Sequence, residues 1–212
     1  MKQKRIPLLA IALLTGFLLW TTAVCLVDVQ PIGPLGSPVG FASLNRTFHQ
    51  LTGVHMELYA LTDTLSLLPI AIALGFALLG ISQWVTRKRL LLVDRNILAL
   101  GSCYLAMAAT EVLFRCIPMN TRPVLIDGAL EASYPSSTTL LAMTIGLTAM
   151  LQLHRRIRKP ALRRTINGML GFFTAGMVLL RLLSGVHWLT DIVGGILLSS
   201  GLVALYAFFC QE

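Results

Sequence analysis

Three short segments of this sequence carry residues whose types and spacing suit the binding of an oxyanion such as phosphate. Three arginines offer rigid guanidinium forks that match phosphate geometry. Between the second and third arginine, Ser136-Ser137-Thr138 begins a predicted helix, whose free N–H groups favour an anion. We therefore predict that these three residues and the arginines bind phosphate. The arginines are Arg115, Arg122 and Arg181.

The third segment also supplies a nucleophile or base. His187 follows Arg181 and ionises near neutral pH, so its imidazole can accept a proton or attack an electrophile. Asp191 lies four residues further on, which places both side chains on one face if the segment is helical. A hydrogen bond from one ring nitrogen to Asp191 would fix the tautomer and leave the other nitrogen free. His187 and Asp191 are therefore the predicted catalytic residues.

Apolar segments must position these residues. Of the 212 residues, 56% are hydrophobic and only 12% are charged, which excludes a disordered chain and argues against a soluble domain. A bilayer needs about 20 apolar residues per helix. The sequence therefore predicts an all-α integral membrane bundle of six transmembrane helices, forming one membrane domain over residues 1–212. The predicted spans are roughly 6–27, 64–85, 97–114, 136–153, 165–183 and 192–209.

The positive charges predict the orientation of these spans. The net charge is +8, and with both termini cytoplasmic thirteen of the 17 lysines and arginines fall in short inner segments. This distribution accounts for the basic composition through topology and anionic lipid headgroups, so no nucleic-acid partner is predicted. The oxyanion-binding residues then face the outside. The thirteen inner cations are Lys2, Lys4, Arg5, Arg87, Lys88, Arg89, Arg95, Arg155, Arg156, Arg158, Lys159, Arg163 and Arg164.

The first outer segment has its own pattern. Phe41, Leu44, Phe48 and Leu51 recur at helical spacing, which predicts an amphipathic helix over about 39–53 on the outer membrane surface. No outer cluster of histidines and carboxylates has metal-ligand spacing, so neither a metal nor another cofactor is predicted.

Taken in order, the motifs resemble those of the type 2 phosphatidic acid phosphatase superfamily of membrane lipid phosphatases. The motifs of that family run K-x6-R-P, P-S-G-H and S-R-x5-H-x3-D. The resemblance covers residues 115–191 by motif and most of the chain by layout. The corresponding segments are Arg115-x6-Arg122-Pro123, Pro135-Ser136-Ser137-Thr138 and Leu180-Arg181-x5-His187-x3-Asp191.

The resemblance implies a function and a role for each motif residue. His187 would attack phosphorus and form a phosphohistidine, with Asp191 orienting it. Arg122 and Arg181 would clamp the phosphoryl oxygens, joined by Arg115 in place of the lysine of the family. The expected activity is hydrolysis of a lipid phosphate or diphosphate on the outer face of what we expect to be a bacterial plasma membrane. The substrate class includes phosphatidic acid, phosphatidylglycerophosphate and polyprenyl diphosphates.

Thr138 is the main departure from the family pattern. It stands where the family has a histidine that protonates the leaving oxygen, and a threonine hydroxyl is no acid near pH 7. A substrate whose leaving group is a phosphate, with a pKa of about 6, needs less acid. Alternatively, His49, His55 or Glu131 could reach the site. A further alternative is a protein that binds, transports or transfers phosphorylated lipids without hydrolysing them. Oligomeric state stays open.

Overall fold

A computed structural model describes residues 5–210. In this part of the chain eight α-helices carry the fold, and two single 3-10 turns lie at Pro34–Gly36 and Leu90–Leu92. The helices are α1 (Arg5–Leu26), α2 (Ala42–Thr52), α3 (Met56–Leu65), α4 (Leu67–Arg87), α5 (Arg95–Cys116), α6 (Ser137–Arg156), α7 (Pro160–Leu183) and α8 (Leu189–Phe209).

Five helical segments are long and apolar enough to cross a membrane, which makes the chain an integral membrane protein. Helices α3 and α4 together form one of them, so the second predicted span begins earlier than expected. The predicted fourth span corresponds to α6, which is not among the five because threonines and a glutamine lower its hydropathy. Six spans therefore stay a prediction. The five segments are Ile6–Leu26, Met56–Arg87, Arg95–Cys116, Pro160–Leu183 and Leu189–Phe209.

Helices α6 and α8 form the interior of the bundle. The polar residues of α6 face inward, and Thr144, Thr148 and Gln152 are fully buried. Gln152 accepts and donates hydrogen bonds there, including one from its Nε2 to the Tyr206 hydroxyl at 2.6 Å. Helix α8 packs against α1, α5 and α6. Small residues allow this close packing: a Cβ at Gly195 would lie 3.2 Å from the Ser136 carbonyl oxygen.

Tyr134 anchors the segment that precedes α6. Its ring is buried and lies 5.6 Å from Phe114 and 6.2 Å from Phe17, measured between ring centroids. Its hydroxyl is 2.7 Å from Thr21 Oγ1. A Cβ at Gly194 would come within 2.5 Å of the same ring, so α8 can approach only because that position is glycine. The ring and hydroxyl of Tyr134 therefore join the segment before α6 to α1, α5 and α8.

Among the described residues, the inner cations of the α4–α5 and α6–α7 connections lie at one end of the bundle. Ten of them belong to the turns that join α4 to α5 and α6 to α7 or to the adjoining helix ends. Asp94 connects the two turns, since its carboxylate lies 2.9 Å from Arg87 NH1 and 3.8 Å from Arg156 NH2. Lys2 and Lys4 fall outside the described residues, as does the end of the chain after 210. The cytoplasmic location of the termini stays a prediction.

The predicted amphipathic segment forms α2, which is shorter than expected. Leu44 and Leu51 are exposed, whereas Asn45, on another face of the helix, is fully buried. The Asn45 amide donates to Thr190 Oγ1 at 2.9 Å and to the Gly40 carbonyl at 2.8 Å. Because these bonds join α2 to the first turn of α8, α2 closes over the end of the bundle opposite the cations.

Candidate active site

His187 lies in the short turn between α7 and α8. The turn depends on Gly185, which has a φ of +68° and whose Cβ, if it had one, would overlap the Gly53 carbonyl. Only glycine tolerates both the left-handed backbone and this approach. The His55 N–H donates to the Ser184 carbonyl at 2.9 Å, so the chain between α2 and α3 braces the same turn. As a result His187 is held almost completely buried, with 3% of its surface exposed.

Asp191 lies beside His187, although His187 and Trp188 precede the first residue of α8 and the segment 187–191 is not helical throughout. His187 Nδ1 is 3.5 Å from Asp191 Oδ2, which is within ion-pair distance but longer than a hydrogen bond, and Nδ1 has no hydrogen-bond partner among residues 5–210. The same carboxylate oxygen accepts the Trp188 N–H at 2.9 Å, which caps the first turn of α8. Catalytic hydrogen bonds are often long before a substrate is bound. The pair therefore has the arrangement in which Nδ1 faces the carboxylate and Nε2 is left for chemistry.

Burial sets the protonation state of His187. Removal from water lowers the pKa of His187 to about 4, and the nearby charges of Arg122 and Arg181 act in the same direction. Contact with Asp191 opposes the shift. The imidazole is consequently neutral above about pH 4, which is the form that a nucleophile or base requires.

One of the predicted arginines, Arg122, contacts His187, and a second, Arg181, lies close to Arg122. Arg122 NH1 is 3.4 Å from His187 Nε2, and its Nε is 2.9 Å from a Glu131 carboxylate oxygen. Arg181 NH1 donates to Thr62 Oγ1 at 3.0 Å. Both guanidiniums lie over the Tyr59 ring, Arg181 at 4.6 Å and Arg122 at 5.8 Å from its centroid. The ring and these polar partners hold two positive charges close together, as a binding site for a polyanion requires.

A cavity of about 440 Å³ opens beside these arginines. Ser137 and Thr138 line it, but His187 does not, since the Arg122 guanidinium lies against Nε2. The charged residues that line the cavity are Asp63, Glu111, Arg115, Arg122, Glu131 and Arg181.

The three residues at the start of α6 have different positions. Ser136 is fully buried, and its Oγ accepts the Thr139 N–H at 3.5 Å as a helix cap. Its N–H donates to the Asp191 carbonyl at 3.1 Å, so Ser136 joins α6 to α8 and does not line the cavity. Ser137 Oγ donates to Glu111 Oε1 at 2.6 Å. Of the three, only Ser137 and Thr138 are placed to contact a ligand in this cavity.

Arg115 lies at the edge of the cavity. Its side chain is 73% exposed, and its Nε donates to Glu111 Oε1 at 3.0 Å. Glu111 thus accepts from both Arg115 and Ser137, which joins α5 to the first turn of α6. Among residues 5–210 no group of three or more histidine, cysteine, aspartate or glutamate side chains is arranged to hold a metal ion.

The two histidines of the outer segment point elsewhere. His49 Nε2 contacts the Gly185 carbonyl at 3.0 Å, and its ring packs against Trp188 at 5.4 Å. His55 Nε2 contacts the Thr52 carbonyl at 2.9 Å. Neither lines the cavity, so of the three groups considered as a replacement acid only Glu131 does.

Sequence reasoning missed three residues of α3. Tyr59, Thr62 and Asp63 share one face of this helix, and all three contact the arginines or the cavity. The sequence does show a pattern that could have indicated them, because polar residues at positions i, i+3 and i+4 share one face of a helix that continues into an apolar span. Their partners on α7 lie more than a hundred residues away along the chain, so no local pattern pairs them.

Replacing Arg181 by lysine is expected to weaken the binding of inorganic phosphate about 10- to 100-fold. Lysine keeps the charge but loses the planar fork, the stacking on Tyr59 and the bond to Thr62. A hydrogen bond to a charged group contributes about 1.5–3 kcal/mol, which corresponds to that range. Isothermal titration of the purified protein with phosphate measures the change.

The matched control is the same substitution at Arg115, which is far more exposed. Because exposed ion pairs contribute about 0–1 kcal/mol, Arg115→Lys is expected to lose less than about fivefold in affinity. Equal losses at the two positions would contradict the assignment of Arg181 as the buried phosphate clamp.

Comparison with known proteins identifies the family of this chain. The sequence model of the PAP2 superfamily matches residues 98–211, more than half of the chain. The fold is similar to a crystal structure described as the first transmembrane PAP2 type phosphatidylglycerolphosphate phosphatase from Bacillus subtilis. That similarity covers 94% of each chain with a TM-score of 0.60 and 18% sequence identity. No curated protein matches the sequence. The match over both the motifs and the helices that carry them shows that this chain belongs to the PAP2 superfamily.

Proposed function

We propose that this protein is a membrane lipid phosphatase that hydrolyses a lipid phosphate or diphosphate through a phosphohistidine at His187. The observation that carries the proposal is the buried His187 beside Asp191 and Arg122, with the Arg122 and Arg181 guanidiniums over the Tyr59 ring next to a polar cavity. Family membership supports phosphatase chemistry in general.

Two balanced steps describe the reaction. The lone pair of His187 Nε2 attacks phosphorus, the N–P bond forms, and the bond from phosphorus to the leaving oxygen breaks with its electron pair. Water then attacks phosphorus, the N–P bond breaks, and inorganic phosphate leaves. Arg122 and Arg181 stabilise the charge on the equatorial oxygens in both steps. Asp191 accepts the Nδ1–H and stabilises the positive charge that develops on the ring.

Substrate binding must rearrange Arg122. Its NH1 faces His187 Nε2 at 3.4 Å, which is the space that the phosphorus atom needs for attack. A phosphoryl group that enters the cavity offers the guanidinium better acceptors than a neutral imidazole does. The arginine therefore exchanges the ring for the phosphate oxygens when substrate binds.

The leaving group favours a lipid diphosphate among the proposed substrates. Thr138 lines the cavity where the family supplies an acid. Glu131, the alternative acid, is engaged by Arg122 at 2.9 Å, and giving a proton from this position would require that ion pair to break. A phosphate leaving group is stable as an anion and needs little protonation, whereas an alkoxide needs an acid.

An apolar groove supports a lipid substrate. A second cavity of about 340 Å³ shares Glu111, Ser137 and Thr138 with the first and continues along Met107, Leu140 and other apolar residues of α5 and α6. A ligand with a charged head and a hydrocarbon chain fits this combination. We further propose that the site faces outward in a bacterial plasma membrane, because the cations collect at the opposite end of the bundle.

The test is phosphate release by purified protein in detergent from three lipids: phosphatidic acid, phosphatidylglycerophosphate and a polyprenyl diphosphate. We expect the diphosphate to be cleaved at least about tenfold faster than either monoester, since general acid catalysis is worth about 10²–10⁴ where the leaving group needs it. The Bacillus protein of similar fold is described as a phosphatidylglycerolphosphate phosphatase, which makes that lipid a necessary member of the panel. No cleavage of any of the three would overturn the proposal.

Thr138 also favours a second candidate function. A relative that binds, transports or transfers phosphorylated lipids would need the arginines but no acid. It would bind the same three lipids with an affinity that falls when Arg122 or Arg181 is replaced, and it would release no phosphate. The panel therefore separates the two functions.

A further inference from the structure

The Asp191 carboxylate is held on both of its oxygens. It is fully buried, with 0% of its surface exposed. Oδ2 accepts the Trp188 N–H and faces His187, whereas Oδ1 accepts a hydrogen bond from Asn120 Nδ2 at 3.2 Å. Asn120 lies between Arg115 and Arg122, on the outer segment that follows α5. Within residues 5–210, Asn120 is the one side chain that donates a hydrogen bond to Asp191 Oδ1.

Asn120 is itself fixed in one orientation. Only 1% of its surface is exposed, and its Oδ1 accepts the Gly40 N–H at 3.2 Å. Since a backbone N–H can only donate, the amide oxygen must face Gly40 and the amide nitrogen must face Asp191. The second hydrogen on Nδ2 points to Thr190 Oγ1 at 3.4 Å. Neither amide orientation nor rotamer is free to change.

Asn45 completes the network from the other side. Its amide donates to Thr190 Oγ1 and to the Gly40 carbonyl, and its Oδ1 accepts the Thr190 N–H at 3.3 Å. The segment before α2 thus meets the start of α8 through two asparagines. One of these, Asn120, contacts the catalytic carboxylate directly, and the other does not.

We propose that Asn120 is a positioning residue for the reaction, which holds Asp191 charged and aligned so that His187 presents Nε2 to phosphorus. The inference rests on the proposed function. A buried carboxylate oxygen without a donor costs free energy, and the group responds by rotating or by taking up a proton. Either response would release His187 Nδ1 from Asp191 and allow the wrong tautomer.

The test is Asn120→Asp, which keeps the shape and the acceptor for Gly40 but replaces the donor by a second carboxyl group. Two carboxylates this close share a proton, and the shared proton can restore a donor to Asp191. The other charged or titratable groups that face His187 and Asp191 are Arg122, Arg181 and Tyr134. Because burial lowers the pKa of His187 to about 4, this histidine stays neutral near pH 5, where the activity of Asn120→Asp is measured.

We expect Asn120→Asp to lower kcat about 100-fold at pH 8 with KM changed less than about threefold, and to recover at least about tenfold of that loss near pH 5. Wild-type activity measured at both pH values with the same lipid diphosphate corrects for substrate ionisation. The matched control is Asn45→Asp, an equally buried asparagine in the same network that does not touch Asp191. Its pH profile should keep the wild-type shape.

A double-mutant cycle tests the inference independently if Asn120→Asp folds poorly. Asn120→Ala is expected to lower kcat about 30-fold in the wild-type background and less than about threefold in Asp191→Ala, because residues that act through one another are not additive. Equal costs in both backgrounds, or wild-type kcat of Asn120→Asp at every pH, would overturn the inference. If instead His187→Ala is fully active, the proposed function itself fails, which is a different result.

Discussion

Replacing His187 by alanine is expected to lower phosphate release by about 10⁴-fold or more. The variant lacks the nitrogen that forms the bond to phosphorus, and loss of a nucleophile commonly costs on this order even when the rest of the site is intact. The buried pocket around position 187 keeps Arg122, Arg181 and Asp191, so phosphate binding should survive. Initial rates of phosphate release from a lipid diphosphate measure the loss.

The phosphoenzyme gives an independent measurement of the same step. Wild-type protein mixed with labelled substrate and denatured rapidly should carry acid-labile, base-stable label, and His187→Ala should carry none. His154→Ala is the matched control, since His154 is exposed at the opposite end of the bundle and should retain both label and activity. Label that persists in His187→Ala would place the covalent step on another residue.

The local motifs predicted several residues that the fold brings together. The Glu111–Arg115 pair depends only on one turn of α5, which is a short-range feature that a sequence determines directly. His187 and Asp191 are also close in the chain, but His187 lies in the turn before α8, and Gly185 and the His55 N–H help to hold that turn. The catalytic and phosphate-binding roles of these residues stay predictions.

Long-range contacts account for what sequence reasoning missed. Asn120 meets Asp191 across 71 positions, and Arg181 meets Thr62 across 119. No periodicity relates such residues, because the packing of whole helices brings them together. The case of Ser136 is similar: its sequence position fits a ligand-binding helix start, but it is fully buried, and its N–H donates to the Asp191 carbonyl of α8. Burial of a helix start decides whether its N–H groups are available to a ligand.

Polar residues also explain why α6 is less apolar than the five segments that could cross a membrane. Thr148 and Gln152 make hydrogen bonds within the protein, Thr148 Oγ1 to the Thr144 carbonyl at 2.7 Å and Gln152 Nε2 to the Tyr206 hydroxyl at 2.6 Å. A helix surrounded by other helices does not need the apolar composition that lipid contact demands. The same arrangement brings Thr138, in the first turn of α6, to the cavity.

A substitution at Thr138 is expected to produce the second large change in the rate of hydrolysis. Thr138→His is expected to raise the rate of hydrolysis of a lipid phosphomonoester about 100-fold, because a positioned general acid contributes about 10²–10⁴ when an alkoxide leaves. Thr138 borders both cavities, so the larger ring has open space in front of it. A lipid diphosphate should gain much less, since its leaving phosphate is already a stable anion. The ratio of monoester to diphosphate rates, measured with the same protein preparation, reports the change.

The added acid also predicts a pH dependence. A histidine acts as an acid only when protonated, so the monoester rate of Thr138→His should fall as the pH rises above about 6.5. Thr138→Gln is the matched control, because glutamine is of similar length and can donate a hydrogen bond but carries no proton that titrates in this range. A gain shared equally by the two variants would mean that position 138 acts by shape or hydrogen bonding. A folded Thr138→His protein without any gain on the monoester would mean that the leaving oxygen lies elsewhere in the cavity.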